Sequence, residues 1–113
     1  MSQKRIPREW CDAVAAALKA QRHRYTATAF QRFQQDFPSL YKYDLETAFI
    51  TALSSGTLTG CHVTMAHPPG DTWEFFFLLD NIKTYGKILL RDDGSGVIIH
   101  SAHFPERTHL SCD

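Results

Sequence analysis

Six side chains capable of chemistry crowd two short apolar runs: Tyr85, Lys87 and Arg91 in the first, His100, Ser101 and His103 in the second. Histidine gives and takes protons near neutrality, lysine and arginine carry fixed positive charge, and hydroxyls donate hydrogen bonds to phosphate oxygens. That is an inventory for breaking an RNA backbone without a metal. Such cleavage needs one group to take the proton from the 2′-hydroxyl and another to protonate the leaving oxygen. It also needs cations facing the charge that builds on phosphorus. A histidine would serve in proton transfer, Lys87 and Arg91 would supply charge, and Ser101 would donate to a phosphate oxygen. The opposing reading is a solvated sheet face carrying the long polar residues usual there, and residue types alone favour it.

Strand geometry sorts these groups. Side chains alternate across a sheet, so Tyr85, Lys87, Leu89 and Arg91 share one face, with Gly86, Ile88 and Leu90 on the other. On the partner run, Val97, Ile99, Ser101 and His103 share a face, and Ile98, His100 and Ala102 take the opposite one. Either Ser101 with His103, or His100 alone, joins Lys87, and register decides between them. Alternation also argues against a metal, because His100 and His103 point apart at this spacing in a strand, as do the adjacent Cys61 and His62. His67 and Cys112 complete no zinc spacing, so neither metal nor other cofactor is expected. Cys61 and Cys112 have no setting that marks a nucleophile.

The hairpin needs a fold to carry it. Pro7 suits a first helical position, and Trp10, Val14, Ala17 and Leu18 follow at helical spacing to about Gln21. A second helix begins near Thr26 or Thr28, aligns Phe30, Phe33 and Phe37, and stops at Pro38. A third has Asp44 as its N-cap, a stripe of Leu45, Ala48, Phe49, Ala52 and Leu53, and Gly56 as its stop. Beyond Gly56 the period changes to that of strands: "TLTGCHVTMA", a turn at "HPPGD", the near-continuous apolar "TWEFFFLLD", then "TYGKILLR" and "GVIIHSAH" joined by "DDGSG". The expected architecture is α+β: helices over about 7–55 packed on one face of a roughly four-stranded antiparallel sheet over about 57–104, then a short tail.

Composition sets the class. A chain of 113 residues, 43% apolar and 21% charged, reads as a single ordered domain. Net charge is zero, so no global basic field marks a nucleic-acid binder. The first 32 residues nevertheless hold seven basic and two acidic side chains. Arg22 and Arg24 beside Tyr25 would contact RNA phosphates, although a helix C-terminus also favours cations for its own dipole. Three cysteines, widely spaced and odd in number, predict reduced thiols. With no apolar leader and no segment of membrane-spanning length, the expectation is a cytoplasmic protein without a membrane partner.

Three stretches taken in order, "TWEFFFLL", "YGKILLRDDG" and "VIIHSAHFPE", resemble the closing strands of the MqsR/RelE-like toxin superfamily. The resemblance rests on Trp73 and Phe75, on Tyr85 and Lys87, and on Ser101, His103 and Pro105, with a looser likeness upstream where "DLETAFITALSSGTL" leads into the first strand. It covers about the last 40 residues at the level of motifs. Members are small endoribonucleases that use no metal, commonly the toxin half of a toxin–antitoxin pair. The resemblance therefore implies an RNA substrate, a cognate antitoxin protein, and catalytic groups on an open sheet face. It would make Lys87 and His103 catalytic, with Tyr85, Arg91 and Ser101 in support. A non-catalytic interaction or inhibitor protein of the same fold is the alternative, and the neutral charge favours it. Oligomeric state stays open.

Overall fold

The computed structural model describes residues 2–65 and 68–113, and His67, weighed above as a metal ligand, lies outside them. The elements run β1 (Lys4–Arg5), α1 (Arg8–Lys19), β2 (His23–Tyr25), α2 (Ala27–Asp36), α3 (Lys42–Ser54), β3 (Thr59–Val63), β4 (Gly70–Leu79), β5 (Ile82–Arg91) and β6 (Val97–His103). This is the α+β arrangement that the periodicities predict, with its helices packed on the sheet. The sheet itself differs from expectation. It has six strands, in the order β1-β3-β4-β5-β6-β2, and it is mixed, because β2 runs parallel to β6. The two additional strands lie in the half read as helical, and they are too short, at two and three residues, to print an alternating pattern. "RHRY" reads as the basic end of a helix, yet its backbone pairs with Val97, Ile98 and Ile99.

The helix ends explain how β2 comes to lie there. Pro7 is the N-cap of α1 and not its first helical residue, and Gln21 takes a left-handed φ of 60° that turns the chain back. Thr26 caps α2, its hydroxyl accepting from Ala29 N at 3.1 Å. Thr26→Ala is expected to cost about 1 kcal/mol, read as a lower urea midpoint, and an unchanged midpoint would remove the cap from the account. Asp44 is not the N-cap of α3. It sits inside the first turn, and its carboxylate reaches back to accept from Tyr41 N at 2.8 Å. Gly56, at φ 77°, follows the Ser55 cap as the stop signal expected of it.

The core lies between the helices and one sheet face. Trp10, Val14 and Leu18 of α1, Phe33 of α2, and Leu45, Phe49 and Leu53 of α3 form one cluster with Trp73, Phe75 and Phe77 of β4. Ile88, Val97, Ile99 and Ala102 complete that face. Phe49 stacks on Phe77 with ring centroids 4.5 Å apart. Gly86 makes this approach possible, since a Cβ there would stand 3.0 Å from ring atoms of both Phe49 and Phe77.

The second sheet face is not left open along its length. Residues 104–113 fold back across it, burying Leu110 and joining Cys112 to Cys61 in a disulfide with Cα atoms 5.7 Å apart. The expectation of three reduced thiols is corrected: only Cys11 is free, and it is buried. An odd count mixed one apolar core cysteine with a bonded pair separated by 51 residues. Among the described residues, no helix is long and apolar enough to cross a membrane.

Candidate active site

The register of β5 on β6 places the hairpin's chemistry. Tyr85 lies opposite His103 and Lys87 opposite Ser101, but Ile88 lies opposite Ile99, so His100 is an extra residue in a β-bulge. The bulge resets the alternation. Val97, Ile99 and Ala102 all belong to the helix-facing core, although strict alternation puts Ala102 on the other side. The expected face shared by Val97, Ile99, Ser101 and His103 is therefore corrected: Ser101 and His103 side with Tyr85 and Lys87, away from the core. Burial, then the charges of Lys87 and Arg24, holds the His100 imidazole below its usual pKa. Arg24 pairs across from Ile98, so both cations that His100 feels lie on the non-core face. Its Nε2 is buried without a partner.

Tyr85, Lys87, Ser101 and His103 line one cavity of about 320 Å³. Glu74 and Phe76 of β4 complete the floor, and Arg32 of α2 with residues of the 104–113 segment forms the wall. His103 is only 5% exposed, and its ring centroid lies 5.2 Å from that of Tyr85. Its Nδ1 is 2.7 Å from the Phe104 carbonyl oxygen, which can only accept. Nδ1 therefore carries the hydrogen, and in the neutral ring Nε2 keeps the lone pair.

Glu74 is the buried charge that sequence reasoning overlooked. Tyr85 donates its hydroxyl to Oε1 at 2.5 Å, and Ser111 donates both its hydroxyl and its amide, the latter at 2.9 Å, to Oε2. Burial alone would raise this carboxyl. The bonds from Ser111 and Tyr85 and the charge of Lys87 outweigh burial and hold it below the usual range. Burial, then the bond to Glu74 and the negative charge beside it, pushes the Tyr85 phenol well above its ordinary value, so it remains a donor. Lys87 itself forms no ion pair among the described residues, which leaves its ammonium available to a ligand. One signal for Glu74 was present: a lone carboxylate inside the apolar run "TWEFFFLL".

A carboxyl whose pKa is depressed by folding stabilises the folded state above its unfolded value and loses that contribution as pH falls through the folded one. Docking of the 104–113 segment is therefore expected to loosen only under acid, below the ordinary glutamate range near 4.5. The Ser111 amide resonance reports it in a pH titration. A Ser111 shift that titrates near neutrality would contradict the role given to Glu74.

Besides His100 in the bulge, three candidate residues lie outside the cavity. Arg91 is at the far end of β5, where it borders a shallow depression together with Arg22 and Arg24. Its Nε is 3.9 Å from Asp93 Oδ1, while Arg22 donates to the Gly94 carbonyl at 3.3 Å. Sequence spacing did not bring Arg32, Arg107, His109 or Ser111 to the hairpin, since none belongs to it. Among the described residues, the one group of potential metal donors close enough together is Cys61, Cys112 and Asp113, and its two sulfurs are bonded to each other. The cavity thus offers an imidazole with an available nitrogen, an ammonium without an ion pair and the Ser101 hydroxyl, which suits proton transfer beside an anion. Comparison with models of protein families, with curated protein sequences and with solved structures finds no match to this chain.

Proposed function

We propose that the protein is a metal-independent endoribonuclease of the MqsR/RelE-like kind, held in check by an antitoxin protein. The observation that carries this reading is the gathering of His103, Lys87, Ser101 and Tyr85 around one cavity. His103 Nε2 takes the proton of the 2′-hydroxyl, and the oxygen attacks the neighbouring phosphorus. Lys87 faces the charge that develops on the phosphoryl oxygens, and Ser101 donates to one of them. Tyr85 shapes the floor and packs against His103. Arg22, Arg24 and Arg91 hold the strand by its phosphates away from the cleavage point. His100, its Nε2 buried without a partner and its pKa held down by burial, then by the charges of Lys87 and Arg24, is left out of the chemistry.

The test is incubation of the purified protein with total RNA and a chelator. Cleavage by wild type, slowed by about 10²–10³ in Lys87→Ala, is the expected result, matched by growth arrest on expression of the wild type alone. The zero net charge favours the second reading, an interaction or inhibitor protein. On that reading expression is harmless and cellular RNA stays intact.

A further inference from the structure

We infer that the 104–113 segment is part of the catalytic apparatus, with His109 protonating the leaving oxygen while His103 takes the proton from the 2′-hydroxyl. The inference rests on the endoribonuclease reading and names the second proton-transfer group that reading requires.

The sheet floor supplies only one such group. His103 has an available nitrogen in the cavity. Tyr85 commits its proton to Glu74, and the Nε2 of His100 is sealed from solvent. Lys87 serves as fixed charge, its ammonium a compact point cation facing the phosphate. Of the remaining cavity side chains, His109 is the one whose type titrates near neutrality.

His109 reaches the cavity because the segment is anchored on both sides of it. Upstream, Phe104 N donates to Asp36 Oδ2 at 2.8 Å, and the Phe104 ring packs on Phe37 with centroids 4.9 Å apart. Downstream come three successive anchors: buried Leu110, Ser111 bonded to Glu74, and Cys112 bonded to Cys61. Between them Glu106 pairs with Arg32 of α2 at 3.5 Å. The charged groups around His109 come from every wall: Glu74, Lys87, His103 and Arg32 from the fold, with Glu106, Arg107 and Asp113 from its own segment. Arg107 adds a cation beyond Lys87 of the floor and Arg32 of α2. About 320 Å³ stays open with the segment docked, so it walls the cavity without filling it.

The step balances. The bond from the 2′-oxygen to phosphorus forms and the bond from phosphorus to the 5′-oxygen breaks. One proton passes from the 2′-hydroxyl to His103 and one from His109 to the departing oxygen. A 2′,3′-cyclic phosphate and a 5′-hydroxyl result, and no further reactant is consumed.

The experiment measures cleavage of a synthetic single-stranded RNA oligonucleotide by the full chain, with chelator present, across pH. Wild type should give a bell-shaped profile. His109→Ala should lower kcat about 100-fold, change KM little, and abolish the alkaline limb. A nucleoside 3′-(p-nitrophenyl phosphate), whose leaving group needs no proton, should be cleaved by His109→Ala nearly as fast as by wild type, while His103→Ala stays inactive. Cys112→Ser, which removes the covalent anchor of the segment, should lower RNA cleavage in the same direction as His109→Ala. The inference is overturned if His109→Ala keeps the wild-type profile, if the p-nitrophenyl ester does not rescue it, or if Cys112→Ser is faster than wild type, since the segment would then be a cover. A wild type that cleaves neither substrate overturns the nuclease reading itself, and this inference with it.

Discussion

Alanine at His103 is expected to slow RNA cleavage by about 1,000-fold, within the range of roughly 10²–10⁴ for losing a positioned acid or base. That fall corresponds to about 4 kcal/mol of lost transition-state stabilisation. The expectation rests on the proposed activity and on how tightly the ring is held. His103 is buried, its ring tilted against that of Tyr85, and oriented by its bond to the Phe104 carbonyl. Lys87→Ala should cost about 10²–10³, the usual price for removing a donor aimed at developing charge. Stability should separate the two variants. Lys87 makes no ion pair among the described residues, whereas His103→Ala also forfeits a partly buried hydrogen bond worth about 1 kcal/mol. Initial rates and urea midpoints measured on the same preparations distinguish lost chemistry from lost fold. A folded His103→Ala variant that cleaves at the wild-type rate would sink the assignment.

Glu46→Ala should destabilise the fold by about 3 kcal/mol, with no direct part in the site. Glu46 is 8% exposed on α3, and one of its oxygens accepts from both Tyr25 Oη and His23 Nε2, each at 2.7 Å. Those partners belong to β2, so this carboxylate ties the third helix to the edge strand. Burial, then the bond and charge of Glu46, pushes the Tyr25 phenol far above its ordinary value and keeps it a donor. Alanine leaves a buried hydroxyl and a buried imidazole nitrogen unpartnered, each costing about 1–3 kcal/mol. The other imidazole nitrogen of His23 already lacks a partner, so no second bond compensates. Glu46→Gln keeps one acceptor oxygen and should lose about half as much. Against a total stability of roughly 5–15 kcal/mol, the alanine effect is large enough to show plainly in urea unfolding. An unshifted midpoint would mean that β2 is held by its backbone pairing with β6 alone.

The helices and long strands were legible because they repeat. Trp10, Val14 and Leu18, or Leu45, Phe49 and Leu53, recur at helical spacing, and all are buried where that spacing puts them. "TWEFFFLL" is the long inner strand its apolar run suggests. What escaped was either short or distant. β1 and β2 hold too few residues for a period, and the partner of Cys61 lies 51 residues away in a segment with no pattern of its own. Asp44 was placed on the correct turn but in the wrong position, because a carboxylate can cap from its own residue or reach back from within the turn.

The hairpin shows where the division falls. Residue types by themselves determined that one end of this protein would carry histidines, a lysine and hydroxyls on two strands, and alternation determined that Tyr85 and Lys87 share a face. Only the tertiary structure decided what meets them. One extra residue in β6 breaks strict alternation and brings Ser101 and His103 opposite Lys87 and Tyr85. A bulge has no composition to announce it, since it arises from how two particular strands settle against one core. The same holds for Glu74, Arg32 and His109, which converge on the cavity from β4, α2 and the folded-back segment. Local periodicity encodes which face a side chain takes. Convergence of distant residues depends on packing and covalent closure, which no short window of sequence contains.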